Sequence, residues 1–335
     1  MEASTGERTA RVHASATVFD GHCDSLACVL RAERSLGERS TSGHTDLPRL
    51  RAGGVTAQIF ACGLHVFGKR SEQPTQLFLR MADAFHETLQ RFPDQVMLAT
   101  RGSDVVQAKE EGRIAAILGM EDGAPIAGEL GILRIFYRLG LRVICLVWGP
   151  RNEIGDGVSR RTDAGEGLTP FGVSLVREMN RLGMVVDVSH LNEKGFWDVI
   201  EHSEDPIIAS HSNARGLYDH PRNLTDRQLR ALAERGGVVG VVFTFLHGDP
   251  ASVTLATVLD HIDYIVDRVG PDHVGIGSDF DGLSSAPPAG LEDATCFPRI
   301  TCGLLERGHR EEDVQRILGG NFLRVFRAVT EHTPA

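Results

Sequence analysis

The sequence predicts an α/β fold of the (β/α)8 TIM-barrel class. Short, continuously apolar runs rich in β-branched residues recur along the 335 residues, and stretches with helical periodicity separate them. Parallel strands that are buried on both faces have this composition, and eight of them alternating with helices over about 300 residues suggest a barrel. The eight predicted strands are Thr17–Gly21, Thr56–Ala61, Ile114–Met120, Arg142–Val147, Met184–Val188, Ile207–Ser210, Val238–Phe243 and Val274–Gly277.

The segments between these strands place apolar residues on one helical face. In Thr75–Arg91, apolar residues recur every four positions, at Leu77, Met81, Phe85 and Leu89. Thr225 and Thr254 are expected to be N-cap residues, since threonine favours that position. Further helices are predicted over Phe171–Leu182, Asn192–Ile200, Thr225–Glu234 and Thr254–Val269.

An open, doubly wound sheet is the alternative to the barrel. The dinucleotide-binding fingerprint of such sheets is missing, because Gly275-Ile276-Gly277 is followed by Phe280 where the third glycine should fall. The barrel is therefore favoured, as one domain over residues 17–330. Residues 1–16 mix charged and small polar residues and are expected to form a flexible N-terminal tail.

Composition excludes several classes of protein. The chain has 35 Lys and Arg against 45 Asp and Glu, a net charge of −10, which disfavours nucleic acids and anionic membrane surfaces as partners. The longest apolar run, Gly237 to Leu246, has ten residues, about half of what a membrane helix needs. No signal peptide is recognisable, and the six cysteines lack paired spacing. We therefore expect a cytoplasmic protein with reduced thiols.

Polar residues cluster where predicted strands end, which is the rim that carries the active site of a barrel of this type. His22 and Asp24 follow the first strand two residues apart, so their side chains point the same way from an extended backbone. Four more such residues follow other strands: Glu121 the third, His190 and His211 the fifth and sixth, and Asp279 the eighth. Any one of these six residues would also fit a helix cap or a hydrogen-bonded turn. Together, the six supply enough imidazoles and carboxylates for two divalent metals that share a carboxylate, a geometry suited to hydrolysis.

The sequence resembles the membrane (renal) dipeptidase family of zinc peptidases, peptidase family M19, in its soluble bacterial form. The similarity runs from Phe19 to about Phe326. It implies a barrel of the metal-dependent, amidohydrolase-like type. The motifs that carry it are Asp20-Gly21-His22-Cys23-Asp24, Gly119-Met120-Glu121-Asp122-Gly123, Gly167-Leu168-Thr169-Pro170-Phe171-Gly172, Asp187-Val188-Ser189-His190, Ser210-His211-Ser212, Arg222-Asn223, Gly277-Ser278-Asp279-Phe280-Asp281-Gly282 and Gly320-Asn321-Phe322-Leu323-Arg324.

The resemblance implies a role for each of these positions. His22 and Asp24 would hold one zinc ion, His190 and His211 a second, and Glu121 would bridge the two together with a water or hydroxide. Arg222 would grip the C-terminal carboxylate of a dipeptide, because its planar fork matches a carboxylate. Asp279 would contact the free amino group and assist proton transfer, a role for which Asp281 is the weaker candidate.

One position departs from the family pattern. The family usually has Leu-Thr-His-Asn after the fourth strand, with the histidine over the substrate carbonyl, whereas this chain has Leu146-Val147-Trp148-Gly149. An indole has a single donor and no exchangeable charge, so Trp148 is a poor substitute as an oxyanion partner. Four explanations are open. Trp148 could reshape the substrate pocket, His65 or Arg151 could take over the role of the histidine, or the chemistry could have changed. The simplest is that the alignment is shifted here by one residue.

Three functions follow. The first is a metallo-dipeptidase with two zinc ions, which acts on dipeptides or dipeptide-like amides. The second is a metal-containing enzyme with altered chemistry, such as the tailoring of a peptide-derived metabolite, and the third is a catalytically silent barrel. The expected partner is a small dipeptide-like molecule, and a homodimer is implied by the resemblance alone.

Overall fold

The structure, a computed structural model, describes residues 4–64, 73–158 and 165–331. Eight parallel strands form a closed barrel in the order β2-β1-β9-β8-β7-β6-β5-β4, and pairing of β2 with β4 closes it. The (β/α)8 prediction is confirmed, and all eight predicted strands are present. The strands are β1 Val18–Cys23, β2 Val55–Gly63, β3 Val96–Leu98, β4 Ile114–Glu121, β5 Leu141–Cys145, β6 Val185–Asp187, β7 Ile208–Ser212, β8 Val238–Val241 and β9 Val274–Ile276.

One strand was missed by the sequence analysis. The three-residue β3 pairs in parallel with the first three residues of β4, outside the closed barrel. So short a segment has too few residues to show a recognisable apolar pattern. Strand β8 ends at Val241, two residues before its predicted end, so residues 242–246 belong to the rim loop.

Helices pack around the barrel in the intervals where they were predicted. Both predicted N-caps are confirmed. The hydroxyl of Thr225 accepts from the amide of Gln228, and Thr254 is the N-cap of α10, where its amide donates to the hydroxyl of Thr257 at 3.2 Å. Among the described residues, no helix is both long and apolar enough to cross a membrane. The α-helices are α1 Thr5–Ser15, α2 Leu26–Leu30, α3 Leu47–Ala52, α4 Pro74–Arg91, α5 Gly102–Glu110, α6 Leu130–Arg138, α7 Pro170–Leu182, α8 Glu193–His202, α9 Asp226–Glu234, α10 Leu255–Val269, α11 Phe297–Glu306, α12 Glu311–Gln315 and α13 Asn321–Thr330.

The expected N-terminal tail contains a docked helix, which corrects the prediction of flexibility for Thr5–Ser15. Helix α1 contacts α11, and Val12 is fully buried. The ring of His13 bonds the hydroxyl of Thr301 at 2.7 Å and the carbonyl of Gly53 at 2.8 Å. Ser4 and Glu7 form a capping box, which is the signal in the sequence that could have indicated this helix.

The bottom of the barrel is closed by the Phe322 side chain of α13. A Cβ atom at Gly275 of β9 would lie 2.6 Å from this ring, and one at Gly21 of β1 would lie 2.8 Å from it. Glycine therefore permits the ring to enter between the strands. The barrel interior is filled at this end, so a site can form only at the opposite end, where the strands have their carboxyl termini.

All six cysteines are free thiols, as the sequence analysis expected. Cys23, between His22 and Asp24, is fully buried in the apolar layer between barrel and helices. Its side chain packs in the core, which agrees with the alternating orientation expected along β1.

Candidate metal centre at the carboxyl ends of the strands

The carboxyl ends of four strands, β1, β4, β6 and β7, bring the predicted ligands together around the Glu121 carboxylate. Its Oε1 atom lies 3.0 Å from Nε2 of His190, 3.4 Å from Nε2 of His211 and 3.8 Å from Nε2 of His22. The two nitrogens of His190 and His211 are 2.9 Å apart. Asp24 completes the cluster, with Oδ2 3.7 Å from Nε2 of His22.

Two overlapping groups of side chains could each hold a metal ion. One consists of His22, Glu121 and His211, and the other of His22, Asp24 and Asp279. Both are buried. Imidazole and carboxylate together are the ligands of zinc and of several other divalent ions.

Unsatisfied polar atoms support this interpretation. Nε2 of His22 and both carboxylate oxygens of Asp24 are buried and make no hydrogen bond within the described part of the chain. Leaving buried polar atoms unbonded costs about 1–3 kcal/mol each, and more for charged groups. A divalent cation would satisfy these atoms, so the residues present fit a metal.

The backbone turns sharply where these ligands lie. His190 has φ +68° and Asp279 has φ +60°, in the left-handed region that non-glycine residues seldom adopt. Close packing imposes a further requirement at Gly282, where a Cβ atom would collide with Oδ2 of Asp24. The local chain is thus bent so that side chains from the loop after β9 reach those that follow β1.

The electrostatics of the cluster are those of a negatively charged cavity. Burial raises the pKa of Asp279 to about 8, and the neighbouring carboxylates of Asp24 and Glu121 add to this effect. Burial alone would lower the pKa of His22, but the carboxylates, Glu121 foremost, outweigh it and raise the pKa to about 10. Burial together with His22 lowers the pKa of His211. Repulsion among buried carboxylates is relieved by positive charge, so this cavity attracts cations.

Arg222 lies beside the cluster as a buried cation. It is 8% exposed, and one terminal nitrogen donates to the carbonyl of His211 at 2.9 Å. Its Nε atom makes no hydrogen bond, and no carboxylate lies within 4.0 Å of the guanidinium in residues 4–64, 73–158 and 165–331. A buried guanidinium in this state is suited to bind an anion.

Glu121 and His190 of the cluster line one cavity of about 340 Å³, together with Asp279, Arg222 and Trp148. Trp148 lies against His190, with ring centroids 6.1 Å apart. A volume of this size is in the range of small-molecule sites. The lining residues are Glu121, Trp148, Gly149, Val158, His190, Arg222, Thr244, Phe245, Asp279, Gly282 and Ser284.

Of the two residues considered as replacements for the missing histidine, Arg151 points elsewhere. Its guanidinium pairs with Asp156 at 2.7 Å, and its side chain is 43% exposed. It does not line the cavity. His65 lies outside the described residues.

Sequence reasoning missed two parts of the site. Thr244 and Phe245 were assigned to no role, because the apolar run through β8 gives no indication of where the strand ends. Asp281 was weighed only as an alternative to Asp279. The structure shows instead that its carboxylate pairs with Arg34 and accepts from the amide of His44 at 2.7 Å, so it fastens the segment between α2 and α3 to the loop after β9.

Comparison with known proteins agrees with this geometry. The model of the membrane dipeptidase family (peptidase family M19) matches residues 6–334. Dipeptidase tcpJ of Claviceps purpurea is 34% identical over 331 residues, covering 93% of this chain and 77% of that protein. Dipeptidase verJ of Clonostachys rogersoniana is 35% identical over 297 residues, covering 86% and 76%.

A solved structure shows the same similarity. It is that of a metallopeptidase from Rhodobacter sphaeroides bound to a phosphinate mimic of the dipeptide L-Ala-D-Ala. The two chains are 34% identical with a TM-score of 0.88, and the match covers 94% of this chain and 99% of that one. The matched family model and these relatives span nearly the whole barrel with its candidate metal-binding groups, and the chain therefore belongs to the membrane dipeptidase family, peptidase family M19.

Proposed function

We propose that this protein is a binuclear zinc hydrolase that cleaves the amide bond of dipeptides or dipeptide-like small molecules. The observation that carries the proposal is that a buried cluster of imidazoles and carboxylates opens through Glu121 and His190 onto a cavity of about 340 Å³, which the guanidinium of Arg222 also lines. Metal-dependent hydrolysis needs the first feature, and selection of a free C-terminal carboxylate needs the second.

The ligands divide naturally between two ions. His22 and Asp24 would hold one ion, and His190 and His211 the other. Glu121 would bridge them, since one of its oxygens lies within 3.8 Å of all three histidine nitrogens. Bound there, the metal pair would supply the Lewis acidity that activates a water and polarises the amide carbonyl.

The remaining polar groups orient the substrate. Arg222 would bind the C-terminal carboxylate, and Asp279 the free amino group, so that a dipeptide is held at both ends. The carboxyl group of Asp279 faces the same cavity, where it would take up a proton and deliver it to the nitrogen of the leaving amine. The Rhodobacter sphaeroides relative binds a mimic of L-Ala-D-Ala, which supports a dipeptide-sized ligand here.

Trp148 favours a second candidate, a metal-containing enzyme with altered chemistry. Its ring lines the cavity where the family's histidine is expected, and an indole cannot take up or release a proton as an imidazole does. Loss of one oxyanion donor costs about 100- to 1000-fold in rate. The intact ligand cluster argues against a silent barrel. Zinc as the metal, a cytoplasmic location and a homodimer stay predictions.

The test is hydrolysis of a dipeptide panel, with L-L and L-D pairs, by protein whose zinc content has been measured. Turnover by the wild type at ordinary enzyme rates would establish the dipeptidase and make Trp148 a variation of the pocket. Silence of the zinc-loaded wild type with a gain of activity in Trp148→His would favour altered chemistry. A wild type that binds no metal would overturn both.

A further inference from the structure

Beneath the metal cluster, two aspartate–serine pairs tie neighbouring strands together. Under one half, Asp20 of β1 accepts the amide of Ser278 at 2.8 Å and its hydroxyl at 2.7 Å. Under the other half, Asp187 of β6 accepts the amide of Ser210 at 2.9 Å and its hydroxyl at 2.5 Å. All four residues are at most 1% exposed. The two pairs are therefore alike in burial and in the amide and hydroxyl bonds between aspartate and serine, which makes Asp20 a control for Asp187.

The pairs differ in what the serine touches next. The Ser210 hydroxyl oxygen lies 2.7 Å from Nδ1 of the His211 ring, whereas the Ser278 hydroxyl contacts the amide of Phe280 and the carbonyl of His22. Only the Asp187–Ser210 pair is thus in contact with an imidazole. That imidazole presents its other nitrogen, Nε2, to Glu121.

Counting hydrogens fixes the direction of these bonds. An ionised carboxylate only accepts, so the single hydrogen of the Ser210 hydroxyl is used on Asp187. The Ser210 oxygen can then only accept, and the group that can donate to it from the ring is the Nδ1–H of His211. In the neutral ring, Nε2 consequently carries no hydrogen and keeps its lone pair.

We propose that Asp187 is a positioning residue which, through the Ser210 hydroxyl, holds His211 in the tautomer whose Nε2 lone pair faces the metal cluster. The tautomer of His211 is inferred from hydrogen-bond geometry alone. That this tautomer serves metal binding rests on the proposed function. Metal-bound histidines generally have their other ring nitrogen oriented in this way, and losing such a partner weakens metal affinity by about 10- to 100-fold.

Replacement of Asp187 by asparagine reverses the chain of bonds with almost no change in shape. The other carboxylate oxygen of Asp187 accepts two amides, those of Ser189 and Ser210. The asparagine carbonyl must occupy that position, which turns its NH2 group toward the Ser210 hydroxyl. Ser210 then accepts from the amide, and its hydrogen becomes available to Nδ1 of His211, which favours the ring tautomer with hydrogen on Nε2, where it blocks a metal. The Ser189 hydroxyl, 3.4 Å from the Ser210 oxygen, is the competing acceptor for that hydrogen.

The experiment compares Asp187→Asn with the matched control Asp20→Asn. In metal-free protein labelled with 15N-histidine, NMR distinguishes the two tautomers of each ring. We expect one ring to change from the Nδ1–H to the Nε2–H form in Asp187→Asn and none in Asp20→Asn. In competition with a chromophoric chelator, zinc affinity should fall about 10- to 100-fold in Asp187→Asn and by less than about threefold in Asp20→Asn.

An unchanged tautomer pattern in Asp187→Asn, or equal losses of zinc affinity in the two variants, would overturn the inference. If Asp187→Asn does not fold, Ser210→Ala and Ser210→Thr replace it, with weaker zinc binding expected only for the alanine, which lacks the hydroxyl. Identical binding by these two would also overturn it. A wild type that shows the expected tautomer but binds no zinc would refute the proposed function and leave the positioning role intact.

Discussion

Arg222 offers the sharpest test of how this site selects its substrate. The Arg222→Met variant removes the charge and keeps a long, flexible side chain. In the wild type, the guanidinium is 8% exposed and bonds the carbonyl of His211, while its Nε makes no bond in the described structure. The substitution therefore deletes a buried cation whose partner is expected to be the substrate.

The magnitude follows from this burial. Removing one partner of a buried, hydrogen-bonded charge pair costs about 2–5 kcal/mol. At about 1.4 kcal/mol for each tenfold change, kcat/KM should fall by about 30- to 4000-fold. The lost bond to the His211 carbonyl contributes only about 1 kcal/mol to the stability of the fold, so the variant should remain folded.

The assay measures kcat/KM for one dipeptide and for the same dipeptide with its C-terminal carboxylate converted to an amide. Wild type should prefer the acid strongly, and Arg222→Met should lose that preference while it cleaves the amide about as well as wild type does. Arg215→Met is the matched control. Arg215 lies in the same loop, but its side chain is 29% exposed and pairs with Asp219.

Equal losses on the acid and on the amide would refute the reasoning, because Arg222 would then act on the metal cluster or the fold and not on the carboxylate. A wild type that cleaves the amide as fast as the acid would refute it as well. Loss of the preference in Arg215→Met would show that charge in this loop, and not a specific contact, selects the substrate.

Three further predictions follow from the same structure. Gly282→Ala should weaken zinc binding and lower kcat at least about tenfold, because the new methyl group collides with the carboxylate of Asp24. The control is Gly149→Ala, which adds a methyl group to open space on the same cavity and should change neither zinc binding nor kcat. Removing metal with a chelator should abolish hydrolysis and lower the melting temperature, and added zinc should restore both. The melting temperature should change because a ligand at 1,000 times its Kd stabilises a fold by about 4 kcal/mol. Burial lowers the pKa of His261, whose Nδ1 accepts a hydrogen bond from the Ala214 amide. The neutral form of His261 therefore contributes stability that is complete above about pH 6.5. Below that pH, the free energy of unfolding should fall by up to about 1.4 kcal/mol per pH unit. Urea unfolding from pH 7.5 to 5 should show a shallower loss in His261→Gln, and equal slopes would contradict the assignment.

The sequence alone was enough to predict the barrel. Its strands are buried on both faces, so they read as continuous apolar runs, and all eight were located to within a few residues. The same logic brought the candidate metal ligands together: strand ends of a barrel meet on one rim, so His22, Glu121 and His211 were expected to lie close to one another, as they do.

The sequence could not show which polar group bonds to which. Asp187 and Ser210 are 23 residues apart, and Asp281 and Arg34 are 247 apart. Nothing in a local pattern marks such residues as partners, since a serine or an aspartate at a strand end is equally suited to cap a helix. The docking of α1 depends in the same way on Thr301 and Gly53, both distant in the chain.

The residues that form the fold and the rim were thus determined by the sequence, because burial and strand direction act through local composition and periodicity. The state of each group on that rim was decided by the tertiary structure. Only there does Arg222 become a buried cation whose Nε has no partner, and only there does His211 acquire a serine that fixes its tautomer. Both depend on the distance between side chains of different strands, and that distance is set by how the barrel closes.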